Sequence, residues 1–259
     1  MMRRNRGYGW VPDRPDQRDY LYKAIRPVVR LPEKMDLREF CSSVENQEAL
    51  GSCTANALVG NLEFLDKKDQ SNSRSCCRQL LELDYTDVSR LFIYYNERVL
   101  EDTVDYDSGA SLRDGIKTLR KQGACWEKTW PYSIERFTRK PSKKCYAEAK
   151  KHRIESYHRI NSLPEMLTCL AEGYPFVFGF TVYESFQSQR VAKTGVANMP
   201  RKKEKVLGGH AVMAAGYNQS QKRFLVRNSW GSQWGKDGYF TMPYEYLETL
   251  SADFWTIRR

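Results

Sequence analysis

Long apolar runs, tight metal-binding motifs and internal repeats are all missing from this sequence of 259 residues. The longest apolar run, from Tyr174 to Tyr183, has ten residues, whereas a membrane-spanning helix needs about 20. The N-terminus is basic but has no apolar segment behind it, so we expect no Sec-type signal peptide. The localisation therefore stays unknown: cytoplasmic, or exported by another route. The lack of a fixed repeat excludes solenoids and propellers.

Histidine is also scarce. Only three histidines occur, at positions 152, 158 and 210, and no Cys-x-x-Cys pair is present. A structural zinc site needs Cys and His ligands at tight spacings, so we expect no metal and no other cofactor. The seven cysteines stand at positions 41, 53, 76, 77, 125, 145 and 169. Because their number is odd, at least one has no intrachain partner and is a candidate for chemistry.

Hydrophobic residues (41%) and aromatic residues (13%) are abundant enough for a large core, in one large domain or two tightly joined ones. The net charge of +10 is uneven. Arg136–Arg159 holds nine basic residues against two Glu, and residues 1–30 hold eight against three Asp. Such clusters can bind nucleic acid. Without a nucleic-acid-binding motif, a solvated basic surface is the favoured interpretation, and nucleic acid remains an unlikely partner.

The pattern of apolar residues predicts helices in the first half and strands in the second. Residues 1–30 contain three prolines and read as extended. A helix is expected from Cys53, Asp66–Asp87 reads as a loop or insertion, and two more helices are expected at Val88–Leu100 and Ser111–Gln122. After about residue 155, strands are expected near residues 176–182, 210–214, 223–226 and 238–242. This order predicts an α+β protein with a helical lobe, a β lobe and a cleft between them.

Four residues carry the signs of nucleophilic catalysis. Cys53 opens the first helix, where the first-turn N–H groups favour a thiolate. His210 lies in a glycine-rich turn before a strand, and Asn228 ends another strand, where its amide oxygen can hold an imidazole. Gln47 precedes Cys53 by six residues and can donate to a developing oxyanion. Each residue alone is a weak signal.

Together, the order Gln-x5-Cys, Gly-His-Ala and Asn-Ser-Trp-Gly resembles the papain family of cysteine peptidases. The resemblance extends over residues 31–259 and includes Leu31–Arg38, Asp107–Ser111, Thr129–Tyr132 and Trp230–Tyr239. It is strongest to compact microbial members that have a Tyr-Gly-Trp-x-Pro-Asp leader. The departures are Leu50 in place of a disulfide-forming Cys, Thr54 after the nucleophile instead of an aromatic residue, and Glu48 in place of a Gly.

The resemblance implies a papain-like two-lobe fold. The helical lobe would span about 41–155, and an antiparallel, β-barrel-like lobe would span about 156–259 with 31–40. It also implies that a Cys53 thiolate paired with a His210 imidazolium attacks a peptide carbonyl. Asn228 would orient His210, and Gln47 would complete the oxyanion hole. Trp230 would shield the hydrogen bond between Asn228 and His210 and also belong to the substrate-binding residues. Ser108 and Gly109 would pair with the substrate backbone in the antiparallel sense. The pocket for the second residue before the scissile bond (P2) would be lined by Gly109, Ala110, Gly179, Ala211 and Ala252.

We therefore expect a cysteine peptidase that acts on proteins or peptides, as an endopeptidase that prefers apolar P2 residues. A Cys-His acyl transferase or peptide ligase, a basic nucleic-acid-binding module and an inactive papain fold used for binding are the alternatives. Residues 1–30 are too few to fold alone, yet they contain Tyr8, Trp10, Tyr20 and Tyr22. We expect this leader to lie along the cleft as an inhibitor. The alternative is a structural strap on the β lobe.

Overall fold

The three longest helices of the described residues lie in the first half of the chain, and all but one of their strands lie in the second half, as the sequence predicts. The structure is a computed structural model that describes residues 7–23, 30–73 and 87–259. The helices in these ranges are α1 (Cys53–Ser73), α2 (Arg90–Glu101), α3 (Leu112–Lys121), α4 (Lys143–Ala149), α5 (Leu163–Ala171), α6 (Gln189–Thr194) and α7 (Tyr244–Leu250). The strands are β1 (Lys34–Asp36), β2 (Ser156–Ile160), β3 (Phe176–Tyr183), β4 (Val206–Asn218), β5 (Arg223–Arg227), β6 (Tyr239–Pro243) and β7 (Ser251–Arg258).

The helical lobe is built around α1. Every residue of this helix from Cys53 to Asp66 is buried, which is typical of a helix surrounded by other elements rather than lying on a surface. Helices α2 and α3 pack against it. Both begin at a serine cap: the hydroxyl of Ser89 accepts from the Phe92 amide, and that of Ser111 from the Asp114 amide. These caps satisfy amide groups that have no partner within the helix.

The β lobe is one antiparallel sheet in the order β2-β7-β3-β4-β5-β6, with β1 added to the far end of β4. Strand β4 pairs with β3 and with β5, and α1 packs against it. The two lobes therefore meet where the first turn of α1 approaches β4. His210 lies inside β4, so the glycine-rich turn predicted before it is wrong, and Asn228 directly follows β5. The α+β two-lobe fold predicted from the sequence is confirmed.

The predicted loop Asp66–Asp87 is wrong in its first part, because α1 continues to Ser73. Polar side chains extend this helix past the core because they bond to distant parts of the chain. Asp66 pairs with Arg259, and the amine of Lys68 donates to the carbonyl oxygen of Gly173 at 2.6 Å. The remainder of that segment up to residue 86, with Cys76 and Cys77, lies outside the described residues, as do residues 1–6 and 24–29. The five described cysteines are buried thiols.

Gly123 ends α3 as predicted. Its φ is +84°, and its amide donates to the carbonyl oxygen of Thr118 at 3.1 Å. A Cβ at this position would lie 1.9 Å from the carbonyl oxygen of Ala149. Gly173 has a similar φ of +79°, but a Cβ there would meet only the flexible end of Lys68. These two glycines share the same backbone conformation and differ in the space around it.

We expect Gly123→Ala to lower the free energy of unfolding more than Gly173→Ala does. Both variants place a side chain in the left-handed region, which costs about 1–2 kcal/mol. Only Gly123→Ala also forces a buried backbone to shift, which adds about 1–3 kcal/mol. Urea unfolding of the two variants measures the difference. Equal losses would contradict the role given to the Ala149 contact.

Candidate active site

Cys53 is the first residue of α1, and its side chain is completely buried. The backbone amides of Ala211 and Gly9 hydrogen-bond to its sulfur. Ala211 directly follows His210 on β4, so the helix N-terminus and the strand that carries the histidine meet at this sulfur. Burial raises the pKa of Cys53 to about 11, and these two amides oppose the shift. The thiol in this state is neutral at pH 7.

His210 is held from two directions. Its Nε2 lies 2.8 Å from Oδ1 of Asn228, and the indole of Trp230 stacks on the imidazole with centroids 4.8 Å apart. Asn228 is itself fixed, since its Oδ1 also accepts from the Ser229 amide at 2.9 Å. With Nε2 bonded to Asn228, Nδ1 is the ring nitrogen suited to proton exchange with a thiol. The predicted Cys53, His210, Asn228 and Trp230 thus lie at one place.

The side chain of Gln47 is also fixed close to this place. Its Oε1 accepts from the Ser229 hydroxyl at 2.5 Å, and its Nε2 donates to the carbonyl oxygen of Leu50 at 2.9 Å. The same Nε2 donates at 3.0 Å to the carbonyl oxygen of Gly7, a residue of the N-terminal leader. The amide predicted to bind an oxyanion therefore binds a carbonyl of the chain's own N-terminus.

The leader runs through the cleft and bonds to both lobes. On the helical side, the Ala110 amide donates to the Gly9 carbonyl at 2.7 Å, and the Val11 amide donates to the Ala110 carbonyl at 3.0 Å. On the sheet side, the Trp10 amide donates to the Gly209 carbonyl at 3.1 Å. Trp10 and Ala110 pair in the parallel sense. The ring of Tyr8 lies edge-on to the rings of His210 and Trp230.

Two carboxylates of the leader enter a cluster of charged side chains. Asp19 forms ion pairs with Arg113 of α3 at 2.6 Å and with Arg159 of β2 at 3.0 Å. Asp13 accepts from the Trp255 indole at 2.8 Å, and its own amide donates to Asp253 at 2.7 Å. Arg159 also binds Asp253, at 2.9 Å. Beyond this cluster, Leu21 pairs with Arg159 and so adds the leader to the sheet edge at β2.

Comparison with known proteins agrees with this geometry. A family model described as papain family cysteine protease matches residues 31–249. The chain belongs to the papain family of cysteine proteases. An uncharacterized peptidase C1-like protein of Acanthamoeba polyphaga mimivirus is 40% identical, and the match covers 98% of this chain and 87% of the relative. Chymopapain of Carica papaya is 29% identical over 88% of this chain, which spans 58% of that relative.

A solved structure is similar throughout. Xylellain, a cysteine protease from Xylella fastidiosa, superposes with a TM-score of 0.85 at 41% identity, covering 100% of this chain and 98% of that one. The family assigns hydrolysis of peptide bonds by a cysteine nucleophile to this chain. Neither the acyl transferase or ligase nor the nucleic-acid-binding module is favoured. Arg159, in the basic stretch Arg136–Arg159, is itself bound to Asp19 and Asp253.

No group of His, Cys, Asp and Glu side chains able to hold a metal ion occurs among the residues that the structure describes. In the same ranges, no helix is long and apolar enough to cross a membrane.

The predicted substrate-binding residues divide into two groups. Gly179 is paired across the sheet with Ala211 on β4 and with Ala252 on β7, and Gly109 and Ala110 face the leader backbone. Gly179, Gly109 and Ala110 thus border the leader, whereas Ala211 and Ala252 are placed next to Gly179 by the strand pairing, and their part in substrate binding stays a prediction. Ser108 instead turns its hydroxyl to Thr103 Oγ1 and to the Gly109 carbonyl, at 2.9 and 2.8 Å. Its role in substrate binding stays a prediction without a contact in this structure.

Gly209 and Asp253 also contact the leader and are not among the site residues predicted from the sequence. The adjacent glycines 208 and 209 were a usable signal, because glycine permits close approach of another chain. Nothing in the sequence singled out Asp253.

We expect Gly9→Ala to expose Cys53 to alkylation. A Cβ on Gly9 would lie 1.7 Å from the carbonyl oxygen of Gly51, so the leader cannot keep its place beside that backbone. Its loss uncovers the sulfur and removes the burial that raises the pKa of Cys53. Iodoacetamide should then label Cys53 at pH 6 at least about tenfold faster than in the unaltered chain, as read by peptide mass spectrometry. Val11→Ala is the matched control, since this neighbouring side chain is exposed. Equal labelling rates in Gly9→Ala and the control would contradict the shielding role of the leader.

Proposed function

We propose that this cysteine protease is an endopeptidase with an apolar P2 preference, and that residues 7–23 inhibit it by lying in the cleft. The hydrogen bond from Gln47 Nε2 to the Gly7 carbonyl carries the proposal, because it puts a main-chain carbonyl against the predicted oxyanion donor. Amide contact from Gly9 to the Cys53 sulfur supports the same view. While the leader makes these two contacts, a substrate cannot reach either Gln47 Nε2 or the Cys53 sulfur.

In the working enzyme, displacement of the leader returns Cys53 to water, and its proton passes to Nδ1 of His210. The thiolate attacks the carbonyl carbon of the substrate, and the oxyanion is bound by the Cys53 amide and by Gln47 Nε2. His210 then protonates the leaving amine, which departs and leaves an acyl-enzyme. A water molecule that gives its proton to His210 hydrolyses the thioester. Asn228 keeps the imidazole in one orientation throughout.

The direction of the leader explains how it can escape cleavage. A substrate is expected to pair with Gly109 in the antiparallel sense, whereas Trp10 and Ala110 pair in the parallel sense. The leader therefore runs in the opposite direction to a substrate. Along the cleft, the order of the carbonyl and the amide in each of its peptide groups is the reverse of the order in a substrate. Described residues lie on both sides of Gly9, whose amide contacts the Cys53 sulfur, so the channel holds chain in both directions from the nucleophile. This supports endopeptidase rather than exopeptidase action.

The leader also makes contacts that anchor it to the rest of the protein. Asp19 binds Arg113 and Arg159, and Tyr22 donates to Glu172 at 2.7 Å on the β lobe. These contacts keep the segment near the cleft, where tethering gives it an effective concentration on the order of millimolar. Inhibition and strapping are thus functions of different parts of one segment: residues 7–11 cover the nucleophile, and residues 13–22 anchor it.

The test is cleavage of an internally quenched peptide that is blocked at both ends. We expect kcat/KM of Gly9→Ala to exceed that of the unaltered chain at least about tenfold, because the cleft is open. Adding Cys53→Ala to Gly9→Ala should abolish cleavage. An unchanged kcat/KM together with a lower Tm would mean that the leader only stabilises the fold. If neither the unaltered chain nor Gly9→Ala cleaves the peptide, the endopeptidase assignment is refuted.

We also expect inhibition to weaken as the pH rises. Burial, and then the charge of Asp253, raise the pKa of Asp13 from 3.8 to about 6 in the docked leader. Asp13 lies near Arg113 and Arg159 as well, and Asp19 shares these two arginines. Because the docked carboxyl holds its proton more tightly than a free one, docking is strongest below pH 3.8 and is weakened as the pH rises through 6.

The ratio of kcat/KM between the unaltered chain and Asp13→Asn isolates this effect. Titration of the catalytic groups is common to both proteins and cancels, while Asn stays neutral throughout. We expect the ratio to rise about tenfold or more between pH 4.5 and pH 7.5. A flat or falling ratio would show that Asp13 does not control the docking.

A further inference from the structure

The indole of Trp10 fills a pocket whose walls are glycines. A Cβ on Gly179 would lie 1.9 Å from Cε2 of Trp10, and a Cβ on Gly209 would lie 2.8 Å from its Cε3. Gly179 stands between Ala211 and Ala252 across the sheet. A flat ring therefore lies directly on the backbone of β3 and β4. This is the pocket that the resemblance assigns to the P2 residue.

The inner end of the pocket is a carboxylate, Asp253, which is 3% exposed. Its Oδ2 accepts from Nε1 of Trp10 at 3.2 Å and from the Asp13 amide at 2.7 Å. Its Oδ1 accepts from Arg159 at 2.9 Å. Three donors thus surround a buried acidic group, and two of the three belong to the leader.

Departure of the leader removes both donors from Oδ2. The arginine on Oδ1 belongs to the body of the protein and remains. Water can bond to Oδ2 in the open pocket, but a ligand that covers this oxygen without a donor leaves it buried and unsatisfied. A ligand that restores the hydrogen bond therefore gains affinity over one that cannot. The leader thus acts as a ligand of the pocket, and it shows that the pocket binds an aromatic ring that carries a hydrogen-bond donor.

We propose that this pocket selects substrates with tryptophan at P2, and that Asp253 is the residue that reads the indole N–H. The glycine walls bind the flat apolar ring, and Oδ2 of Asp253 accepts its single polar hydrogen. This specificity rests on the proposed endopeptidase function and refines its apolar P2 preference. Phenylalanine fills the same walls but leaves the carboxylate without a donor.

A cationic P2 side chain fits the pocket less well than a neutral donor. With the leader docked, Asp13, Asp19 and Asp253 face Arg113 and Arg159. Once the leader leaves, Asp13 and Asp19 leave with it, and two arginines face one carboxylate. Arg159, which bonds to Oδ1 of Asp253, remains beside the empty pocket. The charged group of an arginine or lysine at P2 would meet this fixed cation, whereas an indole carries no charge.

The backbone of β7 directs Asp253 to this position. Its φ is +57°, a conformation that Asp and Asn adopt more readily than other residues except glycine. The preceding residue, Ala252, is paired with Gly179 in the pocket wall. Asn is therefore the substitution that keeps this backbone while removing the negative charge.

The experiment uses the full chain with Gly9→Ala and Trp10→Ala, which empties the pocket. Four blocked, internally quenched peptides differ only at P2, which is tryptophan, 3-benzothienylalanine, phenylalanine or arginine. Benzothienylalanine has the shape of tryptophan with sulfur in place of the N–H group. We expect kcat/KM for the tryptophan peptide to exceed that of the benzothienyl peptide about 10- to 100-fold, as one hydrogen bond to a charged acceptor implies.

A second readout does not need cleavage. The same peptides should protect Cys53 from iodoacetamide, and tryptophan at P2 should protect at lower concentration than benzothienylalanine. Equal kcat/KM and equal protection by this pair overturn the inference, as does a profile led by arginine. Better protection by tryptophan without cleavage of any peptide supports the pocket assignment and refutes the endopeptidase function instead.

Asp253→Asn in the same background should shrink the tryptophan preference at least about threefold, because a neutral amide oxygen is a weaker acceptor than a carboxylate. Asp237→Asn is the matched control, since Asp237 has a similar φ of +56° and is exposed. The preference should be unchanged in this control. Loss of the preference in both variants would mean that Asp253 does not read the side chain. The comparison of the two peptides on an unaltered Asp253 stands even if Asp253→Asn fails to fold.

Discussion

The packing of α1 against the sheet is the constraint on which the whole site depends, and a buried arginine holds it. Arg227, the last residue of β5, is 5% exposed and donates to the carbonyl oxygens of Ser42 and Ser43 and to the Ser42 hydroxyl. Gly60 of α1 leaves room for it, since a Cβ there would lie 3.0 Å from Nε of Arg227. Asn228 follows directly, so the same residues that join the lobes place the amide that holds His210.

A buried carboxyl accompanies this arginine. Burial raises the pKa of Glu63 on α1 to about 8, and Arg227 opposes the shift. Glu63 accepts from the Ser42 hydroxyl at 2.5 Å and from the Val88 amide at 3.2 Å. Removing one partner of such a group leaves a buried polar atom without a hydrogen bond. The resulting loss of folding free energy is larger than the net stabilisation that the hydrogen bond provides. The boundary between the lobes therefore tolerates little change, and the site built on it is correspondingly rigid.

The sequence predicts those features of the fold and the site that depend on a short segment of the chain, and it misses those that depend on contacts between distant residues. The order of Gln47, Cys53, His210 and Asn228 is visible because each stands in a short segment with its own residue pattern. The helix near 88–100 and the strand near 176–182 are predicted to within two residues, because each contains a short continuous apolar run that is buried, Leu91–Tyr95 and Phe176–Phe180. The extension of α1 through Lys68 was missed because its polar side chain bonds to Gly173, 105 positions away. Asp253 was missed for the same reason: its partners are Trp10, Asp13 and Arg159.

The leader shows how a very short segment can match two different walls. An extended chain points successive residues to opposite sides, and residues 7–10 alternate glycine with an aromatic residue. The glycines face the helical lobe, where a Cβ would lie 2.4 Å from the Ala49 carbonyl oxygen at Gly7 and 1.7 Å from that of Gly51 at Gly9. The aromatic residues face the sheet, where Tyr8 lies against Gly208 and Trp10 against Gly209 and Gly179. Shifting the register by one residue would put both rings against the helical backbone and both glycines over the pocket. The alternation therefore excludes a slip by one residue, and in the observed register the Gly7 carbonyl meets Gln47 and the indole meets Asp253.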